Sequence, residues 1–162
     1  MITNKEFSRI LTEYAPLLAR VAATYEADAV HRQDLIQDIS LALWRALDTF
    51  RGDASLKTFI AKVAHNRAVD HVLKETRRQD RHQSDDTLSE ISTYRHSDEQ
   101  DQALDLLAAM RRLKLGFRQV IALQLEGFTH NEIAQTLGLT EAVVSQRAVR
   151  ARSELETIMG RR

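Results

Sequence analysis

Apolar residues recur at helical spacing along most of the chain, and this pattern predicts an all-α protein. In the first block, residues 3–78, Asn4 is a candidate cap for a first helix, and Pro16 either starts a second helix or kinks the first. A further helix is predicted over about residues 32–50, and Ser55 is the predicted cap of another that reaches the end of the block. We therefore expect residues 1–78 to form one small helical domain.

The helical pattern is interrupted between residues 79 and 100. That stretch is polar, rich in Ser, Asp, His and Gln, and aperiodic, so it predicts a flexible acidic linker. Helical spacing returns in residues 101–162, which predicts a second helical domain. The predicted fold is therefore all-α, with two small helical domains joined by a flexible linker.

The second block has the spacing of a helix-turn-helix. Thr129 and Glu132 form a candidate capping box, which predicts the start of a short helix. Gly138 is placed to end that helix in the left-handed conformation, and Thr140 to cap a longer second helix. A short glycine turn between two helices, with the small Ala134 where they cross, is typical of this motif.

The outward face of the longer helix carries side chains suited to DNA. Gln can pair with adenine and Arg with guanine in the major groove, while arginines at the flanks can meet phosphates. The same pattern also fits an ordinary helical hairpin with a solvated basic face. The candidate DNA-binding residues here are Ser145, Gln146, Arg147, Val149, Arg150 and Arg152.

The helix predicted after Ser55 carries a line of basic residues on one face. Arg67, His71, Lys74 and Arg78 are spaced four, three and four apart. Such a line can follow a phosphate backbone, each contact releasing counterions. A solvated charged face is the alternative interpretation.

The helix predicted over residues 32–50 has a complete apolar side and, opposite it, a smaller apolar patch formed by Leu41 and Trp44. Acidic and amide residues surround this patch, which favours a protein-binding surface. Packing of the patch under the preceding helices is an open alternative. The face as a whole consists of Asp34, Gln37, Asp38, Leu41, Trp44 and Asp48.

Composition argues against several functional classes. The 162 residues include no cysteine, which excludes disulfides, thiolate nucleophiles and cysteine-based zinc sites. The six histidines lack metal-ligand spacing, and neither a phosphate-binding glycine loop nor a nucleophile–base pair is apparent. We therefore expect a protein that is not an enzyme and has no metal or other cofactor.

Charge and hydropathy narrow the partners further. The net charge of zero argues against a general nucleic-acid coat protein, although residues 57–78 are basic and residues 80–105 acidic. No apolar window is long enough to cross a bilayer, and residues 1–20 lack the features of a signal peptide. We expect a cytoplasmic protein that does not insert into a membrane.

Two segments resemble the extracytoplasmic-function sigma factors of bacterial RNA polymerase. One resembles the family's second conserved region through Asp34-Leu35-Ile36-Gln37-Asp38, Trp44-Arg45-Ala46-Leu47, Phe50-Arg51-Gly52 and Ala64-His65-Asn66. The other resembles its fourth region through Leu125-Glu126-Gly127, Glu132-Ile133-Ala134 and Arg147-Ala148-Val149-Arg150-Ala151-Arg152. Two motif blocks in the correct order are more specific than either one alone.

The resemblance implies a sigma factor that binds core RNA polymerase and directs initiation at particular promoters. Residues 1–78 would dock on the polymerase through the Leu41/Trp44 face and recognise and melt the minus-ten element. Residues 101–162 would recognise the minus-thirty-five element in duplex form. The loop Gly52-Asp53-Ala54-Ser55-Leu56, with Asn66, would hold a flipped minus-ten base beside the basic line Arg67, His71, Lys74 and Arg78. A separate anti-sigma factor is expected on family grounds.

Three positions depart from the family pattern. The family usually has proline in the stretch that matches Lys114-Leu115-Gly116. Phe59 stands where Trp is common, and Ser145 where Lys or Arg is common. The last change removes a charge from the predicted DNA-reading face.

Two other functional classes are compatible with parts of the sequence. A stand-alone helix-turn-helix regulator that binds its operator as a homodimer would need self-complementary symmetry and spaced half-sites. It would also leave the resemblance of residues 34–66 without explanation. An enzyme with a DNA-binding tail lacks candidate catalytic residues.

Overall fold

The computed structural model describes residues 1–81 and 98–160, with side chains described for 1–81 and 102–160. Seven α-helices and one 3-10 turn account for most of this part of the chain, which contains no β-strand. The predicted all-α class is confirmed. The elements are α1 (Asn4–Tyr25), α2 (Ala29–Ala46), the 3-10 turn (Leu47–Thr49), α3 (Leu56–Arg81), α4 (Asp98–Arg112), α5 (Leu115–Leu125), α6 (His130–Leu137) and α7 (Glu141–Gly160).

The start of α1 differs from the prediction by one residue. Thr3, not Asn4, is the cap: its hydroxyl accepts from the Glu6 amide at 3.2 Å, and the Glu6 carboxylate accepts from the Thr3 amide at 2.9 Å. Glu6 completes a capping box only with the residue three positions before it, which is Thr3. Pro16 lies inside α1, so the alternative in which it starts a second helix is wrong.

The boundaries of α2 and α3 follow from their caps. Asp28 accepts from the amides of Val30 and His31, both at 3.0 Å, so α2 begins earlier than predicted. The predicted cap of α3 is confirmed, since the Ser55 hydroxyl accepts from the Thr58 amide at 3.1 Å.

The first three helices surround one apolar core. The chain's pattern of apolar residues at helical spacing places one stripe of each helix inside. Fully or almost fully buried members are Leu17, Leu18, Val21, Ala22, Leu35, Ile39, Leu43, Ile60, Ala64 and Ala68. This three-helix unit holds the α2 face and the basic line of α3 on its outside.

A polar pair lies within this core. The Tyr25 hydroxyl is 2.8 Å from Nδ1 of His65, and their rings meet edge to face with centroids 5.5 Å apart. Nε2 of His65 is buried and has no hydrogen-bond partner among the described residues. Burial lowers the pKa of His65 to about 4, so the imidazole is neutral at pH 7.

The predicted helix-turn-helix is confirmed in the second unit. Thr129 and Glu132 form the capping box, and Gly138 ends α6 with φ of 68°. The Thr140 hydroxyl accepts from the Val143 amide at 3.2 Å and so caps α7. The buried residues of the second unit are Met110, Leu113, Val120, Ile121, Ala122, Leu123, Phe128, Ile133, Ala134, Val144, Ala148 and Ala151.

The two units pack against each other. Ala61 of α3 is fully buried within the apolar cluster of the helix-turn-helix. Lys57 donates to the Glu126 carbonyl at 2.9 Å and lies 4.9 Å from the centroid of the Phe128 ring. Arg20 of α1 also donates to the Glu126 carboxylate at 2.8 Å. These contacts bring α6 directly against α3.

A second set of contacts joins α4 and α5 to the end of α1. Arg111 donates to the Ala23 carbonyl at 2.8 Å, and the guanidinium of Arg118 lies 5.5 Å from the centroid of the Tyr25 ring. Much of the predicted linker, residues 82–97, lies outside the described residues. Its two ends, 79–81 and 98–100, belong to helices α3 and α4.

Candidate functional site

The α2 face is solvent-exposed in the structure. Leu41 is 49% and Trp44 36% exposed, whereas the opposite stripe of α2 is buried. Trp44 also meets the Phe7 ring of α1 edge to face, with centroids 4.9 Å apart. The alternative of packing under the preceding helices is therefore met in part, because Trp44 packs on α1, and part of its ring stays exposed. The Asp48 carboxylate accepts from the Ile2 amide at 3.0 Å, and Asp34, Gln37 and Asp38 are exposed.

A cleft of about 170 Å³ opens at the loop before α3. Gly52 turns this loop with φ of 81°, a conformation that favours glycine. Phe59 packs on Phe50 with ring centroids 5.0 Å apart. The cleft is lined by Thr49, Phe50, Arg51, Asp53, Ala54, Thr58, Phe59, Lys62 and, from α6, Gln135. No local signal predicts that Gln135 joins this cleft, because its position there depends on the packing of the two units.

Some side chains of the basic line along α3 are exposed, and others are already engaged by acidic residues of the fold. Asn66 and Lys74 are exposed, and Arg78 lies 3.8 Å from Glu75 in an exposed ion pair. Nε2 of His71 is 2.8 Å from the carboxylate of Glu26, so one ring nitrogen is engaged within the fold. Burial opposes the charged form of Glu26, but the His71 bond and the Asp28 amide hold the pKa of that carboxyl below its usual value.

The recognition face of α7, which we define as Ser145, Gln146, Val149 and Arg150, is exposed as predicted. Val149 is 68% exposed, although it is apolar. Arg152 is exposed at the flank, whereas Arg147 is half-buried and lies over Gly116. A Cβ at Gly116 would come within 3.1 Å of the Arg147 guanidinium.

Sequence reasoning missed one residue beside this face. His130, the first residue of α6, places Nδ1 3.0 Å from the Ser145 hydroxyl and Nε2 3.0 Å from Nε2 of Gln124. A spacing of 15 residues between His130 and Ser145 carries no periodic signal. Only the crossing of the two helices brings them together.

The described residues present three exposed surfaces, which are the α2 face, the loop cleft with the adjoining basic line of α3, and the recognition face of α7. Among the described side chains, those of residues 1–81 and 102–160, no group of three or more His, Asp or Glu is placed to hold a metal ion. None of the helices in these ranges has the length and apolar character required to cross a membrane.

Comparison with protein families decides the assignment. The family model for Sigma-70 region 2 matches residues 10–78, and that for Sigma-70, region 4 matches residues 103–155. The chain belongs to the extracytoplasmic-function sigma factors. Like other members, it is an alternative sigma factor that directs transcription initiation, and sigma factors are not enzymes in the catalytic sense.

Curated relatives support the same family. The RNA polymerase sigma factor NccH of Alcaligenes xylosoxydans xylosoxydans is 25% identical in an alignment of length 162. The alignment covers 94% of this chain and 86% of NccH. The ECF RNA polymerase sigma-E factor of Escherichia coli is 26% identical over 167 residues, with the same coverage of 94% and 86%. The ECF sigma factor SigM of Mycobacterium tuberculosis is 26% identical and matches 88% of this chain and 70% of SigM.

Two solved structures share the fold. The sigma factor RpoE of Bartonella quintana, crystallised with the anti-sigma factor NepR, has a TM-score of 0.77 at 22% identity. The match covers 97% of this chain and 98% of RpoE. CnrH, in complex with the cytosolic domain of CnrY, has a TM-score of 0.70 at 23% identity and matches 98% and 90% of the two chains.

Proposed function

We propose that this sigma factor divides its work between its two units. Residues 1–78 bind core polymerase and open the minus-ten element, residues 79–100 connect the units, and residues 101–162 bind the minus-thirty-five element. The observation that carries the proposal is the exposure of the α2 face and of the recognition face on a fold whose apolar stripes are already buried. A stand-alone homodimeric regulator is not favoured, since it has no use for a sigma region 2 unit.

The α2 face is the proposed contact with the clamp helices of the polymerase's largest subunit. Trp44 is anchored on one side by Phe7 and exposed on the other, so little side-chain freedom is lost when a partner covers it. Aromatic residues presented in this way are common interface hot spots. The exposed acids Asp34 and Asp38 add charge to the rim of the patch.

The loop cleft is the proposed pocket for a base of the minus-ten element. Extruding a base costs a few kcal/mol of unstacking, which pocket contacts and backbone contacts must offset. Exposed Asn66 and Lys74, together with Arg67 and Arg78, supply polar and cationic groups along the adjoining α3. His71 has only one ring nitrogen left for a contact with DNA in this proposal, since the Glu26 carboxylate engages the other.

The packing of α6 on α3 bears directly on this function. The two promoter elements are separated by about 25 base pairs, or roughly 85 Å of B-form DNA at about 3.4 Å per base pair. In the structure Gln135 of α6 lines the very cleft proposed for the minus-ten base. We infer that the two units separate when the protein engages polymerase and promoter.

We also propose a cytoplasmic location and a separate anti-sigma factor as a partner. Polymerase and promoter DNA are in the cytoplasm, and the structural neighbours RpoE and CnrH were both solved in complexes, RpoE with an anti-sigma factor. Non-catalytic action is part of the same proposal. Mixing the purified protein with core polymerase and isolating a stable complex tests it against the homodimeric alternative.

Removing the anchors of the α2 face should weaken polymerase binding. The Trp44→Ala, Asp38→Ala double variant is expected to lose about 2 kcal/mol, since it removes a buried aromatic anchor from the interface. Competition with wild type for limiting core enzyme measures the loss. A Glu13→Ala, Leu73→Ala double variant removes one exposed acid and one exposed apolar residue elsewhere and should compete normally.

A second docking variant separates binding from folding. Trp44→Ala also removes the contact with Phe7, whereas Leu41→Asp leaves that contact in place. Leu41→Asp should therefore melt like wild type and still compete poorly for core. Normal competition by both the double variant and Leu41→Asp would mean that the docking face lies elsewhere.

Two arginines of α7 should differ in what they contribute. Arg150, on the recognition face, is assigned a base contact, so Arg150→Ala should cost roughly 1–3 kcal/mol and relax preference at one base position. Arg152→Ala should weaken binding about equally on all sequences and reduce the salt slope by about one unit. Binding to single-base variants of the upstream element over a range of salt measures both. The reverse assignment of the two effects would show that the helix is rotated in the groove.

A further inference from the structure

His130 connects three helices at the edge of the recognition face. It is the first residue of α6, and its ring lies between Gln124 of α5 and Ser145 of α7, with both nitrogens at 3.0 Å from their partners. The neighbouring Asn131 also links the two helices, donating to the Glu141 carboxylate at 2.6 Å. The start of α6 is therefore tied to the first turns of α7 by side-chain hydrogen bonds.

The partners of His130 define where its proton lies. A neutral imidazole has one donor and one acceptor nitrogen, and the nitrogen of a Gln amide can only donate. Gln124 presents its amide nitrogen to Nε2, so Nε2 accepts and Nδ1 carries the proton. Nδ1 then donates to the hydroxyl oxygen of Ser145.

This arrangement changes what Ser145 can offer to DNA. A serine hydroxyl is both donor and acceptor, and so by itself it suits any base. The bond from His130 occupies one of the two lone pairs of the Ser145 oxygen and leaves its O–H free, so the exposed hydroxyl is biased toward donating outward. We infer that His130 is a positioning residue that makes Ser145 a hydrogen-bond donor toward the DNA.

The consequence is selectivity at one base position. In the major groove, guanine, adenine and thymine each present an acceptor, whereas cytosine presents the N4 amino donor. A donor at Ser145 therefore discriminates against cytosine. The family commonly has Lys or Arg here, which are donors only, and the His130 bond gives the shorter serine the same polarity.

The inference rests on the proposed role of α7 at the minus-thirty-five element, and it can be tested in the complete holoenzyme. Full-length protein bound to core polymerase selects promoters from a library with a randomised upstream element. Wild type should deplete cytosine at one position by roughly three- to tenfold, the range of one hydrogen bond. His130→Phe keeps a ring but removes both nitrogens, and should abolish this depletion while leaving the other positions unchanged.

A conservative variant and a double variant separate positioning from packing. His130→Asn places an amide nitrogen near the position of Nδ1 and should restore the depletion of cytosine. Ser145→Ala should abolish the depletion, and adding His130→Phe to it should have no further effect on base preference. Thermal melting of each variant shows whether the fold is retained.

The possible outcomes are distinguishable. If His130→Phe keeps the wild-type preference, or loses affinity equally for all bases, or if His130→Asn fails to restore the depletion, the inference is overturned and the role of α7 stands. If wild type selects no base anywhere in the upstream element, the proposed role of α7 fails and the inference fails with it.

Discussion

Holding α3 against α6 should stop transcription without preventing polymerase binding. Lys62 and Gln135 come from different units, are both exposed, and line the same cleft. The chain has no cysteine, so Lys62→Cys with Gln135→Cys provides the only two thiols for a cleavable bismaleimide. Promoter transcription by the crosslinked protein should fall to background, because the two recognition surfaces cannot reach elements that are roughly 85 Å apart.

The crosslink allows matched controls in the same protein. The α2 face is exposed with the units packed together, so crosslinked protein should still associate with core polymerase. Each single-cysteine variant, treated with the same reagent, measures the effect of an adduct in the cleft alone, and cleaving the linker should raise transcription by the double variant to the level of these treated single variants. Undiminished transcription from fully crosslinked protein would show that the units work without separating.

Mild acid should destabilise the protein through His65. In the unfolded chain this imidazole binds a proton near pH 6.5, whereas burial in the fold lowers its pKa to about 4. Between these values the unfolded state binds more protons, so the free energy of unfolding falls as the pH falls. The expected loss from His65 is about 2 kcal/mol by pH 5 and about 3 kcal/mol by pH 4, at about 1.4 kcal/mol per pKa unit.

The control for this effect keeps the hydrogen bond and removes the titration. His65→Asn places an amide nitrogen near Nδ1, where it can still bond to the Tyr25 hydroxyl. Denaturant unfolding at several pH values between 7 and 5 should show the slope in wild type and not in the variant. Carboxyl groups with lowered pKa, such as Glu26, lose their contribution below this range. Equal slopes in the two proteins would rule out His65 as the cause.

Local signals made much of the fold predictable. Thr129 and Glu132 are three residues apart, and Gly138 follows one short helix later, so the helix-turn-helix could be placed from neighbouring residues alone. The exposed position of the α2 face was also predictable from the sequence, since helical spacing separates Leu41 from the buried stripe. Two predicted helix starts were wrong by one to a few residues: Thr3, not Asn4, caps α1, and Asp28 starts α2 before the predicted residue 32.

Contacts between distant parts of the chain could not be predicted in this way. Glu126 is 106 residues from Arg20 and 69 from Lys57, and nothing in the local sequence of any of them indicates the contact. Ala61 has the pattern of an ordinary residue on α3, yet it is buried by the other unit. The same limit applies to His130, whose hydrogen bonds depend on how α5, α6 and α7 cross.

Run-off transcription with purified core RNA polymerase tests the central claim most directly. Core enzyme alone, and core enzyme with this protein, would be assayed on fragments of the source genome. A sigma factor should produce discrete transcripts that start at a small set of positions sharing two upstream elements, and that are absent with core alone. The same non-specific transcripts with and without the protein would contradict the assignment.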